Sequence, residues 1–424
     1  MIKKLFPKSD FSKNVLTLLT GTSIAQAIPI AISPVLTRIY TPNDFGIYAL
    51  YMSLASILSV ISTGRYELSL LLPKKDEDAF SLLSLSLFLS FLFSIFISII
   101  IYFFNVQIVL ILGNPNIERW LYFIPISIFF TGLFQTLTYW SNRNKQYKTI
   151  AKGRVSQSSG TAISNLILSL NNSNGKGLII GGIIGRITGS LYILFSTWKK
   201  DKPKIKSVKY FKILALAKRY IIFPKYNTSH AVLNIFSSKS PIFILSSYFT
   251  SSSVGLYSLA ERIIMLPSGL LASGISQPFY KKMADYKNEG KNIFPLLKKT
   301  CNTLVAISVG PFLFLFILGP TIFGFVFGED WKTAGTIIQI LVPFFLLRFI
   351  GSVISNIVYV FNEQKKALNI EIVHTFLRVL ALLIGCLYNN FYIALILFSI
   401  VSTIISAYRL YWYLEIAKNS STNE

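Results

Sequence analysis

The stretch Ala79–Phe104 reads AFSLLSLSLFLSFLFSIFISIIIYFF, with no charged residue among its 26 positions. A helix that crosses the hydrocarbon core of a bilayer needs about 20 mainly apolar residues, so this run is long enough to span it. The same pattern recurs on both sides. Twelve such segments are centred on 15–36, 45–63, 79–104, 120–140, 155–170, 177–198, 226–249, 254–278, 295–318, 335–361, 367–387 and 391–414. The expected fold class is therefore an all-α integral membrane protein of about 12 transmembrane helices. Segments 155–170 and 226–249 are rich in Ser, Thr and Asn and suit the walls of a cavity better than a lipid-facing surface. The first apolar run is as long as a span and is expected to stay as an anchor.

Composition agrees. Of 424 residues, 53% are hydrophobic and only 14% charged, where soluble domains carry about 25%. The 41 Lys and Arg against 17 Asp and Glu give a net charge of +24, which in a soluble chain would suggest nucleic acid. Loop by loop, 32 basic residues fall on the side of the termini, 4 on the opposite side and 5 inside spans. That is the positive-inside pattern, so both termini are expected in the cytoplasm and no nucleic-acid partner is implied. The basic residues instead meet anionic membrane lipids. The densest block, Lys199 to Lys225, reads as an amphipathic helix on the membrane surface.

The chain also repeats itself. Gly46-Ile47-Tyr48-Ala49-Leu50 is echoed by Gly255-Leu256-Tyr257-Ser258-Leu259, and Leu112-Gly113-Asn114 by Phe327-Gly328-Glu329. The order of these echoes implies a duplicated six-helix unit. The expected organisation is an N-terminal bundle over 1–198, a basic amphipathic linker over 199–217 and a C-terminal bundle over 218–424. An even number of spans per copy makes the two bundles pseudo-symmetric about the membrane normal, with a central cavity between them.

Arg186, Lys239, Arg262, Arg348 and Arg378 fall within spans, as does Glu261. Each central Arg or Lys costs about 2.5–3.5 kcal/mol to insert unless water or a partner solvates it. Their excess over internal carboxylates predicts an anionic cargo, for which phosphate or pyrophosphate is the simplest match to Arg. These five are the candidate substrate-binding residues. Arg38 and Asp44 at the first external turn, Arg65 and Glu67 after the second span, and Glu261 are candidate gate or coupling residues, with H⁺ or Na⁺ as the coupling ion. No catalytic or metal site is expected. The chain lacks a G-x-x-x-x-G-K-[ST] loop, and Asp76-Glu77-Asp78 reads as a solvated charge run rather than a metal cluster. Cys301 and Cys386 read as packing residues.

Two motif regions resemble a known family. Pro34-Val35-Leu36-Thr37-Arg38-Ile39-Tyr40-Thr41-Pro42-Asn43-Asp44-Phe45-Gly46-Ile47-Tyr48, with Gly64-Arg65-Tyr66-Glu67 and Leu70-Leu71-Leu72-Pro73, is similar to the opening of Wzx-type oligosaccharide-lipid flippases. Trp140-Ser141-Asn142-Arg143-Asn144-Lys145-Gln146-Tyr147 and the stretch Tyr220 to Pro224 resemble them too. The resemblance implies the multidrug/oligosaccharidyl-lipid/polysaccharide exporter (MOP) fold, in the bacterial cytoplasmic membrane. It implies as cargo an undecaprenyl-pyrophosphate-linked oligosaccharide for O-antigen or another surface polysaccharide, and as partners a polysaccharide polymerase and glycosyltransferases. Two alternatives stand beside it: a small-molecule exporter of the same fold, and an integral-membrane glycosyltransferase or polymerase. The first would favour acidic cavity residues. The second would need a long external catalytic loop, whereas the external loops here are short.

Overall fold

The computed structural model describes residues 10–170, 175–201 and 210–419, which are almost entirely helical and contain no strand. The side chain of Lys13, and much of the basic linker 199–217, lie outside the described residues. In chain order the helices are α1 (Asp10–Ile39), α2 (Pro42–Ser62), α3 (Asp76–Leu112), α4 (Glu118–Leu121), α5 (Ile124–Arg143), α6 (Tyr147–Ser169), α7 (Lys176–Asp201) and α8 (Tyr210–Arg219). There follow α9 (Ser229–Tyr248), α10 (Ser251–Ile264), α11 (Leu266–Asn288), α12 (Phe294–Phe327), α13 (Lys332–Ile354), α14 (Ile357–Val360), α15 (Gln364–Leu387) and α16 (Phe391–Asn419).

Eight helices of the described residues are long and apolar enough to cross a membrane, and the bent pair Pro115–Leu121 and Ile124–Arg143 makes a ninth if counted as one span. The remaining three expected spans form helices too. They fall short for reasons visible in their composition: α6 and α9 are polar, and 254–278 is broken at Met265 into α10 and α11. The protein is thus an all-α, multi-pass membrane protein.

The serine-rich run that opened the sequence analysis survives in lipid because its hydroxyls stay on their own helix. Along α3, Ser81, Ser84, Ser86, Ser94 and Ser98 each donate to the carbonyl four residues back, at 2.8–3.0 Å. Each hydroxyl is thereby satisfied without a partner helix. The outward face of this helix carries Phe88, Phe103, Leu110 and Ile111, all more than half exposed, as a lipid-facing surface requires.

Two compact units divide the chain, Met1–Ser247 and Tyr248–Glu424. In the first unit, α6 and α7 make the most intimate helix pair. The reason is a run of glycines four residues apart on α7. A Cβ at Gly181 would lie 1.9 Å from the Asn165 side chain, one at Gly185 1.9 Å from Thr161 Oγ1, and one at Gly189 2.7 Å from Gln157 Cβ. Small residues let the two backbones meet, the usual device for helix association in membranes. Polar α6 is also held by hydrogen bonds from outside it: Thr188 of α7 donates to the Ser156 carbonyl at 3.3 Å, and Tyr40, just after α1, donates to the Asn165 carbonyl at 2.8 Å.

The amphipathic α8 is more than a membrane-surface helix. Leu216 is buried in a core cluster with Tyr66, Leu70, Phe80, Leu83 and Trp140. Tyr66 donates to the Ala217 carbonyl at 3.0 Å, and Lys212 bridges Glu77 at 3.1 Å and Asp78 at 2.7 Å. Asp76 in turn holds Arg143 at 3.0 Å. Asp76 and Glu77 stay more than half exposed, as expected of a solvated charge run, and the run is also where α8 and the end of α5 dock onto the start of α3.

In the second unit, α12 and α13 cross where Gly319 faces Gly335; a Cβ on Gly335 would lie 2.4 Å from Gly319 backbone. α15 meets α16 the same way: a Cβ on Gly385 would lie 2.2 Å from Ala394 Cα. The sequence echo has a local counterpart. Thr41 caps α2 by accepting from Asp44 N–H, and Thr250 caps α10 by accepting from Ser253 N–H. A short 3₁₀ turn, Pro115–Ile117, precedes α4, and Glu329–Trp331 precedes α13.

Candidate functional site

The charged residues inside the helices fall into separate groups, and the first lies in the N-terminal unit. Arg186 on α7 is buried, with Nη1 3.4 Å from the Gly182 carbonyl and Nη2 2.8 Å from the Met52 sulfur. Among the described residues no carboxylate comes within ion-pair reach of it. A thioether and one carbonyl are weak acceptors for a guanidinium, so this charge is solvated by neither an acid nor a strong hydrogen-bond network. Lys239 on α9 is half-buried.

At the other end of α2 the chain turns through Gly64 and Arg65, both at positive φ (57° and 58°). The turn folds Glu67 inward. Its carboxylate is fully buried, accepts from Thr63 Oγ1 at 2.6 Å and lies 3.5 Å from Arg65 Nη1. Burial raises its pKa above the ordinary value of 4.5, and the Thr63 and Arg65 contacts only partly offset this. Glu67 thus binds its proton more tightly in the folded chain than in the unfolded one. Stability is fullest below the ordinary pKa and falls as pH rises through the raised one. Glu67→Gln keeps an acceptor for Thr63, so it should melt higher than wild type at pH 8, with the gap closing towards pH 4; thermal unfolding at both values checks this.

Arg38 is exposed at the end of α1, and Asp44 is spent on structure. The Asp44 carboxylate accepts from the Thr41 backbone and hydroxyl, both at 2.9 Å, completing a capping box at the start of α2. It also packs against Gly175, whose φ of 68° makes the tight turn before α7. Asn165, a polar residue of segment 155–170, is likewise occupied: turned so that its nitrogen meets acceptors, its amide donates to the Thr161 and Gly177 carbonyls at 3.2 and 3.0 Å.

The second group lies in the C-terminal unit and gathers residues from four helices. Arg348 on α13 stands over the rings of Phe344 and Phe345, 5.7 Å from each centroid. Phe344 meets the His374 ring edge-on at 6.4 Å and Phe398 at 5.8 Å. Arg378 on α15, buried, stands over Phe398 at 5.9 Å. Each aromatic face attracts the cation above it. The charges of Glu261, Glu371 and Arg348 all act on Arg378, and the buried Tyr257 of α10 feels Glu261, Arg378 and Arg348. Glu371 forms an ion pair with Arg409 of α16.

Three guanidiniums here face two carboxylates, leaving one positive charge uncompensated within the group. His374 sits at its centre, buried, with both ring nitrogens unpartnered among the described residues. Arg262, beside Glu261, is half-buried. Sequence reading found Arg348, Arg378 and Glu261 here but missed Arg409 and Tyr257. Arg409 reads as part of the basic C-terminal end, although the spacing Glu371, His374, Arg378 puts those three on one helix face. Tyr257 and Glu261 share a face by the same four-residue rule.

Comparison with known proteins accords with this fold. The lipopolysaccharide biosynthesis protein WzxC of Escherichia coli (strain K12) is 21% identical over 163 residues, 38% of this chain and 33% of WzxC. The match thus spans about a third of that relative. The solved structure of the lipid II flippase MurJ in an inward closed conformation superposes with a TM-score of 0.75 at 18% identity, covering 96% of this chain and 90% of that one. An inward-facing multidrug resistance MATE family transporter of the MOP superfamily gives 0.63 at 14% identity, covering 96% and 95%. At these identities the likeness shows the fold, which is that of MOP superfamily transporters. The resemblance to Wzx-type flippases is borne out, and the chain belongs to the polysaccharide biosynthesis protein family, whose profile matches residues 35–336.

Proposed function

We propose that this chain carries an undecaprenyl-pyrophosphate-linked oligosaccharide across the bacterial cytoplasmic membrane, for O-antigen or another surface polysaccharide. The observation that carries the reading is positive charge at membrane depth in excess of acid: Arg186 against a thioether, and Arg348 and Arg378 over aromatic faces. Such residues are expensive to insert, and they fit a cargo that brings its own negative charge. Family membership and the kinship with WzxC support a lipid-linked polysaccharide precursor as that cargo.

In this reading the chain, organised as bundles 1–198 and 218–424 with the linker 199–217, works by alternating access. Arg186, Lys239, Arg262, Arg348 and Arg378 hold the pyrophosphate and any acidic sugar, while the prenyl tail stays in lipid. Glu261 and Glu67 are the carboxylates that a proton or Na⁺ gradient would act on, and Arg38 and Arg65 flank the gates. Both termini face the cytoplasm, and the lipid-linked substrate arrives from glycosyltransferases and leaves towards a polymerase.

The test is translocation of lipid-linked oligosaccharide in proteoliposomes. Arg186→Ala and Lys239→Ala should each slow it by about tenfold, the effect of one lost charge-assisted hydrogen bond of about 1.5–3 kcal/mol. Unchanged rates in both, with normal folding, would remove the cationic mechanism.

A further inference from the structure

We propose that the face of α12 running from Pro295 to Gly310 is a binding site for an anionic phospholipid of the leaflet that the basic loops face. The site is a groove of about 600 Å³ whose lining includes Lys298, Lys299, Asn302, Thr303, Ala306 and Ile307. The three- and four-residue spacing places them on one helix face. Gly310 continues that face, and a Cβ there would meet nothing within 4 Å, so the groove runs on as open space towards the membrane centre. Leu313, Phe314 and Ile317 beyond it are exposed.

Length fixes the depth of each part. At 1.5 Å per residue, the 34 residues of α12 are about 51 Å long, while the hydrocarbon core takes about 30 Å, or about 20 residues. Counted back from Phe327, the hydrocarbon ends near Ser308. Ala306 and Ile307 then mark its boundary, Asn302 and Thr303 stand about 8–9 Å beyond it at the outer edge of the headgroup layer, and Lys298 and Lys299, about 14–15 Å beyond it, turn their flexible stems back towards the headgroups. The apolar window of α12 is only 17% buried by the rest of the protein, so lipid is what lies against it.

The donors are available. Among the described residues neither Lys298 nor Lys299 has an acidic partner within ion-pair distance, and no hydrogen bond engages the Asn302 amide. Thr303 donates to the Lys299 carbonyl at 2.9 Å, leaving its lone pairs outward. Two ammonium groups and an amide at phosphate depth, above a slot kept open by Ala306 and Gly310, match one phosphate head with one acyl chain. Basic pockets at this depth are where anionic headgroups bind.

The experiment uses the full chain purified in a mild neutral detergent, with thermal unfolding and native mass spectrometry read during titration with phosphatidylglycerol or phosphatidylcholine. Phosphatidylglycerol should raise the melting temperature and remain bound, and phosphatidylcholine should do neither. Lys298→Gln with Lys299→Gln should weaken phosphatidylglycerol about tenfold, and Gly310→Leu should weaken it by filling the slot without lowering the unliganded melting temperature. Lys281→Gln with Lys282→Gln, an equal loss of charge elsewhere in the same basic segment, should change nothing. Equal responses to the two lipids, or equal losses in both double variants, would reduce the effect to bulk charge and overturn the site. Stronger protection by undecaprenyl phosphate than by phosphatidylglycerol would assign the groove to the carrier lipid and overturn the proposal.

Discussion

Arg378→Ala is expected to cost about 3–5 kcal/mol of stability, the usual penalty for removing one partner from a buried charge group. Arg378 is buried, and Glu261, Glu371 and Tyr257 all feel its charge. Its loss removes a buried side chain stacked on Phe398 and a positive charge that acts on Glu261 and Tyr257. Arg348→Ala should behave differently. That guanidinium is half-exposed and rests on Phe344 and Phe345, so its removal forfeits only about 0.5–1 kcal/mol of stacking. Under the proposed function both variants lose translocation, Arg348→Ala by about tenfold or more, but only Arg378→Ala also melts early. Arg378→Lys should recover part of the stability, because it restores the charge without the planar fork. Thermal unfolding beside the proteoliposome assay separates the two roles; an Arg348→Ala variant that is folded and fully active would show that the stacked guanidinium does not touch cargo.

The second large effect belongs to packing. Gly185→Val should prevent accumulation of folded protein. The first atom of the new side chain would lie 1.9 Å from Thr161 Oγ1 and 2.7 Å from the Gln157 carbonyl oxygen. A hydroxyl can rotate, but a helical backbone carbonyl cannot, so α6 and α7 must separate. Overpacking of this kind costs about 1–3 kcal/mol where side chains can adjust, and more where backbone must move. Separation would also break the Thr188 to Ser156 contact and expose the polar face of α6 to lipid. Gly310→Val, on open helix surface, is the matched control and should fold as wild type. Yield of monodisperse protein after detergent extraction distinguishes the two.

How far the sequence could be read follows from what each feature depends on. The apolar runs were legible because membrane insertion sums hydropathy along one continuous segment, with no need to know the neighbours. For the same reason 155–170 and 226–249 stood out as anomalous. Why α6 nonetheless forms a stable helix was not legible, since the answer is a glycine row on α7 whose partner face only packing reveals. That the solvated run Asp76-Glu77-Asp78 also holds Arg143 and Lys212 was not legible, because those cations come from α5 and α8.

Charge divides in the same way. From sequence alone the +24 is expected to fall mostly in loops on one side, with a few cations at membrane depth, because both readings need only position along the chain. It also carried the family resemblance through the motif around Thr41 and Asp44. Only the tertiary structure decided what those residues do. Asp44 spends its carboxylate on capping α2, and Arg186 rests on Met52. Arg348, Arg378 and His374 share an aromatic scaffold of Phe344, Phe345 and Phe398. The energy of a buried charge is set by the groups within a few ångströms of it, and those come from helices far apart in sequence.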